Sequence, residues 1–326
     1  MNPRRTPVRI GTRGSTLAIW QTEWVRSRLR AAGYETERIE IKTTGDLSPA
    51  VPLAQIGSRA LFTKQIDDAL LEGRIDLAVH SFKDLPTQLP DGLSVAAVSV
   101  REDPSDALVG RRGASLDSIA EGGIVATSSL RRRAQLLHLR PDLSVVDVRG
   151  NVETRIGKLD REPAWAAILL ATAGLVRLGL DHRIGERISP ERMLPAPGQG
   201  ALAVTVRSGD SPVAEAVRAA IHDEVTALAV GAERAFLRRL EGGCQVPIAA
   251  YAVMDRTGTR SSVKLKGRVL SLAGDRVIEG ETREDAGNES QADAAGTRLA
   301  ERLLQQGAGE ILSDVRIAAA PVVPEP

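Results

Sequence analysis

The chain has 326 residues, with 43 Lys+Arg against 42 Asp+Glu and a formal net charge of +1. That length suits two or three domains with a core that needs no covalent staples, and the charge balance argues against a general polyanion binder. Aromatic residues are only 2% and there is one cysteine, Cys244, which excludes an internal disulfide and a multi-cysteine zinc site and argues against a stacking surface for single-stranded nucleic acid.

The basic start MNPRRTPVRI lacks a following apolar stretch, and no apolar run reaches the length of a membrane span. The expectation is a soluble, cytoplasmic, globular protein with no membrane and no nucleic-acid partner. Of the cations, 37 are Arg and 6 are Lys. Codon bias accounts for most such excesses. The informative arginines are those beside Gly, Ser and Thr, where a planar guanidinium can bind carboxylate or phosphate in a fork.

In chain order, VRIG (8–11) predicts a strand, followed by a helix from about Ser15. On that helix Leu17, Trp20 and Trp24 recur at helical spacing, flanked by Ala18, Val25 and Leu29, and predict one buried face. ERIEIK (37–42) alternates as a strand, residues 44–60 have no clear period, and a helix follows at about 62–72. IDLAVHS (75–81) and LSVAAVSV (93–100) are further strands. REDPSD (101–106) is rich in turn formers and predicts a crossover linker.

The pattern then restarts. ALVG (107–110), GGIVATS (122–128), LSVVDVRG (143–150) and WAAILLAT (165–172) predict strands, with helices at about 129–139 and 151–160. Such alternation predicts parallel sheets covered on both faces. LPAPGQG (194–200) predicts a second crossover, after which ALAVTVR (201–207) is compatible with a return to the first sheet. Beyond about residue 220 the character changes: a long helix (223–240), then GGCQVPIAAYAV, strands near 262–270 and 274–281, and a helix at about 290–306 with Gly307 as its C′ residue. That predicts a small α+β domain with a disordered tail over about 317–326.

The clearest local pattern is a strand ending in small hydroxyl residues with basic residues just after it, in AVHSFKDLP (78–86) and VATSSLRRR (125–133). Helix N-termini favour anions, although Ser and Thr there also serve as plain caps. Both readings stand for either motif alone. Arg13, Arg131, Arg132, Arg149 and Arg155 fall at equivalent strand ends or first helical turns. Cations there oppose the helix dipole, so either anion neutralisation or a solvated basic rim explains them. Walker A and G-x-G-x-x-G are absent, so nucleotide phosphates are not the favoured anion. Asp84 is an acid inside an anion-seeking motif, placed either to stabilise positive charge on a ligand or to pair locally. His80 has the setting of a packed residue. Cys244 follows Gly242 and Gly243, a poor setting for a core residue, and suits covalent attachment better than nucleophilic catalysis.

Taken in order, TRGSTLAIWQ (12–21), TGD (44–46), LFTK (61–64), DLAVHSFKDLP (76–86), REDPSDAL (101–108), TSSLRRRAQL (127–136), RGNVETR (149–155), ATAGLVRLGL (171–180), LPAPGQGALAV (194–204) and LEGGCQVPIAAYA (240–252) resemble the porphobilinogen deaminase family, also called hydroxymethylbilane synthases. The resemblance covers nearly the whole chain. It implies an α/β fold of two domains like those of type II periplasmic binding proteins, 1–100 with 200–219 and 101–199, plus a small α+β domain, 220–326, carrying the cysteine. It implies head-to-tail condensation of four porphobilinogen molecules, with loss of ammonia, into linear hydroxymethylbilane, in tetrapyrrole (haem-type) biosynthesis, by a monomer. It implies a dipyrromethane cofactor tethered through Cys244, on which the pyrrole chain grows.

By the same resemblance Asp84 is the catalytic carboxylate. Lys83, Ser81, Asp84, Thr127, Ser129, Arg131, Arg132 and Gly150 bind cofactor, while Arg13, Ser15, Ser128, Arg149, Arg155, Arg177 and Gln199 bind substrate. Each pyrrole carries an acetate and a propionate, so the arginines gain a cause. Residues 44–60 match the family's lid, with Asp46, Arg59 and Phe62 assigned to it. Here the usual GGKG reads Gly57-Ser58-Arg59-Ala60 and the usual helix acid is Gln65, which puts lid dynamics in doubt, not the chemistry. The competing reading is a non-catalytic two-domain receptor for a carboxylated small molecule. Asp84 and Cys244 discriminate, since such a receptor needs neither. A nucleic-acid reading through Arg131–Arg133 finds no support in the net charge.

Overall fold

The computed structural model describes residues 6–43, 63–111, 114–240, 246–257 and 260–319. The first sheet is built from β1 (Val8–Thr12), β2 (Thr36–Glu40), β3 (Leu77–Ser81), β4 (Leu93–Val98) and β10 (Leu202–Arg207) in the order β2-β1-β3-β10-β4. The second contains β5 (Asp106–Gly110), β6 (Ile124–Ala126), β7 (Ser144–Val146), β8 (Trp165–Ala171) and β9 (Glu186–Ile188) in the order β7-β6-β8-β5-β9. Each sheet places its local first strand between its second and third, and inserts beside the third a strand arriving from the other sheet. The two sheets are topological copies of each other, joined by crossovers at 99–105 and 194–200.

The sheets are mixed rather than parallel throughout, which corrects the sequence expectation. β10 runs antiparallel to β3 and β4, and β5 antiparallel to β8 and β9. Hydrophobic periodicity reports burial and not direction. Each inserted strand enters its sheet from the crossover side, where β3 or β8 ends, so it must run the opposite way. The central strands are near-continuous apolar runs, as burial on both faces demands: Leu77, Val79, Val204 and Val206 share one core with Ile10, and Leu108, Val125, Ala167 and Leu169 share another.

Helices α1 (Thr16–Ala31), α2 (Lys64–Leu71) and α6 (Ser211–Ile221) flank the first sheet, and α3 (Leu130–Leu139), α4 (Val152–Arg161) and α5 (Thr172–Arg177) the second. The buried stripe of α1 is Gln21, Thr22, Val25 and Leu29. It is rotated from the expected Leu17–Trp20–Trp24 face, which is only partly covered. The stripe includes the polar pair Gln21 and Thr22, which an apolar pattern does not mark. α5, α6 and β9 fall outside the elements the sequence pattern predicts.

The remaining residues form β11 (Ile248–Thr257), β12 (Arg260–Leu270) and β13 (Val277–Asp285), an antiparallel sheet covered by α7 (Glu224–Arg239) and α8 (Glu289–Leu303). The close fit depends on absent side chains. A Cβ on Gly267 would overlap the Phe236 ring, and one on Gly296 would overlap the Ala232 carbonyl. Gly307 has the positive φ (98°) expected of a C′ residue, but the chain re-enters helix as α9 (Gly309–Ala319). That helix covers residues 317–319 of the expected tail, and the rest of the tail lies outside the described residues.

α7 anchors this unit to the first sheet. Arg234 Nη2 donates to Pro86 O at 2.6 Å and its guanidinium lies 4.5 Å from the Phe82 ring centroid. On the other side, Arg268 Nη1 donates to Gln135 Oε1 at 3.0 Å, and the turn at Gly274 packs on α3, its carbonyl 3.0 Å from His138 Nδ1. Among the described residues no helix is long and apolar enough to cross a membrane.

Candidate active site

In open α/β sheets, ligands gather beyond the carboxyl ends of the strands. Five such ends meet here. β1 delivers Arg13 and β3 delivers Ser81, followed by a single turn, Phe82–Asp84. β6 delivers Thr127–Ser129 into α3, β7 leads through Arg149 and Gly150 into α4, and β8 leads into α5, whose last turn holds Arg177.

The hydroxyl residues do structural work first. Ser129 caps α3, accepting from Arg132 N at 3.4 Å, and Thr127 Oγ1 accepts from Ser129 N at 3.2 Å. Ser128 Oγ donates to Val148 O at 2.7 Å and accepts from Val148 N at 3.1 Å, tying β6 to the chain beyond β7. Ser15 caps α1. Ser81 differs: its Oγ accepts from Gln21 Nε2 at 2.8 Å, so its own proton is left to donate. Gly150 has φ +114°, and a Cβ there would meet Thr154 Cγ2 at 2.5 Å. That conformation leaves its carbonyl to accept from Arg155 Nε at 2.8 Å.

Asp84 is exposed on the first sheet's rim. Its charge acts on Lys83 beside it and on Arg132 and Arg155 across from it. Sequence positions far apart are therefore brought to one cleft. Burial lowers Lys83 to about 8, helped by Arg132 and Arg131 and opposed by Asp84 and Asp106. Burial, then Arg132 and Arg149, lower Arg155 to about 10 against the pull of Asp84. Burial lowers Arg177 to about 10, opposed by Glu102; its Nη2 donates to Gly200 O at 2.6 Å and its guanidinium lies 5.8 Å from the Trp20 ring centroid. His80 is buried, near Arg13, and lowered to about 4 by burial and then by that charge. Its Nε2 lies 3.2 Å from Thr205 Oγ1, as suits the packed residue expected.

Arg131 and Arg132 are almost fully buried around Asp106, with Arg131 Nη1 at 2.6 Å and Arg132 Nε at 2.9 Å from its carboxylate. Gln199, also buried, donates to Asp106 and accepts from Lys83 Nζ at 3.1 Å. The cluster joins Lys83, Arg131, Arg132, Arg149 and Arg155, and among the described residues the carboxylates of Asp84 and Asp106 act on it. Burial reduces the proton affinity of Lys83, Arg132 and Arg155, and cations held this way form a donor set that carboxylates relieve. A carboxylate-bearing dipyrrole fits it. Among the described residues no group of three or more His, Cys, Asp or Glu could hold a metal ion. Cys244, Asp46, Arg59 and Phe62 lie outside the described residues. A surface groove of about 850 Å³ lined by Arg26, Tyr34 and Arg38 sits at the amino ends of the strands, away from this chemistry.

A family model described as "Porphobilinogen deaminase, dipyromethane cofactor binding domain" matches residues 8–215, and one described as "Porphobilinogen deaminase, C-terminal domain" matches residues 227–305. The chain belongs to the porphobilinogen deaminase family. A porphobilinogen deaminase of Rubrobacter xylanophilus is 52% identical over 309 residues, 94% of this chain and 97% of the relative. One of Syntrophotalea carbinolica is 49% identical over 319 residues, 97% and 98% of the two chains. Among solved structures, a periplasmic substrate-binding protein of an ABC transporter from Coxiella burnetii matches with a TM-score of 0.42 at 14% identity, over 67% of this chain and 93% of that one.

The porphobilinogen deaminase activity is that of a transferase: it joins porphobilinogen units head to tail with release of ammonia, on a dipyrromethane cofactor. Two polar residues of the site were missed by sequence reasoning. Asp106 closes a stretch read as linker, and Gln21 falls outside the apolar stripe of its helix. The acid in REDPSDAL, immediately before an apolar strand, was the available signal.

Proposed function

We propose that this chain builds hydroxymethylbilane from four porphobilinogen molecules in the cleft between its two five-stranded sheets, with Asp84 as the catalytic carboxylate and Cys244 as the cofactor's attachment point. The observation that carries the proposal is the position of Asp84, an acid facing Lys83, Arg132 and Arg155 drawn from both sheets. A site that only captured anions would be weakened by that acid. A site that must also stabilise a cation needs it.

Lys83, Ser81, Thr127, Ser129, Arg131, Arg132 and the Gly150 turn are proposed to hold the cofactor's acetate and propionate groups. Arg13, Ser15, Ser128, Arg149, Arg155, Arg177 and Gln199 are proposed to receive those of the incoming substrate. Dipyrromethane, when bound, supplies the pyrrole end to which new units are joined. The chain's residues do the rest. Guanidinium and ammonium groups neutralise the carboxylates and orient each ring by two-point contacts. Loss of ammonia from the substrate leaves positive charge shared with the ring nitrogen, which the Asp84 carboxylate stabilises by accepting the ring N–H. The same carboxylate is placed to take a proton as ring aromaticity returns.

The proposed units are 1–100 with 200–219, 101–199 and 220–326, and the protein is proposed to act as a cytoplasmic monomer. The lid assignment of 44–60, with Asp46, Arg59 and Phe62, belongs to the same reading. The deciding experiment is porphobilinogen consumption with stoichiometric ammonia release. Ammonia release without a linear tetrapyrrole product contradicts the proposal.

A further inference from the structure

Asp106 opens β5 with its side chain completely buried. Its Oδ2 accepts from Arg131 Nη1 at 2.6 Å, and its Oδ1 accepts from Arg131 Nη2 at 3.1 Å, Arg132 Nε at 2.9 Å and Gln199 Nε2 at 2.9 Å. Burial opposes its ionisation, but the two guanidinium charges and these hydrogen bonds outweigh it and hold the carboxyl far below the usual carboxylate range. The group is therefore a fixed negative charge under a cationic rim.

Gln199 carries that charge's influence to the other sheet. Its Nε2 also donates to Pro104 O at 2.7 Å and Ser105 O at 3.3 Å, so all three acceptors of the amide nitrogen lie on the segment 104–106. The amide oxygen must then face away, and it accepts from Lys83 Nζ at 3.1 Å. The reverse orientation would set an NH₂ against an ammonium and an oxygen against a carboxylate, with no proton to share at either end. Lys83 follows β3 of the first sheet, Asp106 belongs to the second, and Gln199 lies on the crossover between them.

We propose that Asp106 is a positioning residue: through the Gln199 amide it holds the Lys83 ammonium beside Asp84, while directly holding Arg131 and Arg132, so that a carboxylated pyrrole meets donors of fixed direction from both sheets. The ligand class rests on the function proposed above; the linkage does not. Among the described residues, the charged groups acting on Lys83 are Arg132, Asp84, Asp106 and Arg131. The arginines add to burial in favouring the neutral amine, and the two carboxylates oppose them. Removing Asp106 deletes one of the two opposing charges. Removing the Gln199 oxygen deletes the acceptor that favours the charged form. Either change makes Lys83 lose its proton at lower pH.

The test is NMR titration of the purified protein with lysine labelled with ¹³C at Cε. The chain has 6 lysines, and the resonance lost in Lys83→Met assigns the one of interest. The expected wild-type midpoint is about 8. Asp106→Asn and Gln199→Leu should each lower it by on the order of one pH unit. Gln199→Leu leaves the Arg131 and Arg132 pairs to Asp106 in place, so it serves if Asp106→Asn fails to fold. An unchanged midpoint in folded Gln199→Leu overturns the proposal, even where the wild type consumes porphobilinogen. Lowered midpoints in a wild-type and variant set that never consumes porphobilinogen support the linkage and overturn the functional reading alone.

Discussion

Arg101 and Glu233 form a two-point ion pair, at 2.6 and 3.1 Å, around a carboxylate with no solvent exposure. The same carboxylate accepts the Gly198 amide at 2.7 Å and the Ala252 amide at 2.8 Å. Arg101 lies on one inter-sheet crossover and Gly198 on the other, so a single α7 side chain pins both to the C-terminal unit. Removing one partner of a buried pair strands the other charge. Glu233→Ala should therefore cost about 3–5 kcal/mol in urea unfolding. A loss below about 1 kcal/mol, the range of a surface pair, contradicts the pinning role.

Gly274 is the second attachment point. A Cβ there would lie 2.5 Å from both Ala134 O and His138 N, which are backbone atoms of α3 that cannot swing aside. Gly274→Ala should destabilise by about 1–3 kcal/mol through positive-φ strain and displaced docking together. Gly33→Ala is the control, since Gly33 also has positive φ (87°) but no atom within 4 Å of a Cβ. Thermal unfolding should rank Gly274→Ala clearly below Gly33→Ala. Equal effects would leave only the backbone strain.

His80 gives a pH dependence of known sign. Burial, then Arg13, lower it from 6.5 to about 4 in the folded chain. Between those values the unfolded chain binds a proton that the folded chain does not. The stability it contributes is complete above pH 6.5 and falls as pH drops toward 4, by on the order of 3 kcal/mol. His80→Gln removes this component. Urea unfolding at pH 7.5 and 4.5 should show a larger acid loss in wild type than in the variant. Identical losses would contradict a neutral buried His80.

Asp84 is exposed and contributes no core contact, so Asp84→Asn should keep the fold and nearly abolish turnover. The paired measurement is hydroxymethylbilane formation against the thermal unfolding midpoint. Near-normal turnover in the variant refutes the catalytic role.

The parts of this molecule that were legible in sequence are those carried by local pattern. Strands such as Leu77–Ser81 and Leu202–Arg207 announce themselves as apolar runs, and HSFKDLP marks its own strand end. Direction is not local, so the antiparallel insertion of β10 and β5 was hidden. Partnership across distance was hidden too. Asp106 looked like the last turn former of a linker, yet it meets Arg131 and Arg132, 25 and 26 residues further along the chain. Gln21 lies outside the Leu17–Trp20–Trp24 pattern by which its helix was read, and its amide donates to Ser81 at the end of β3. Polar residues buried for one another leave no hydrophobic period to read.

The central claim is that this cleft builds a pyrrole chain on a primer tethered to Cys244. Intact mass of the purified protein, followed by peptide mapping, tests it most directly. The account predicts a mass increment equal to one dipyrromethane, located on the peptide containing Cys244, with further increments of one pyrrole unit each after brief exposure to porphobilinogen. Fully active protein with an unmodified Cys244 thiol would contradict it.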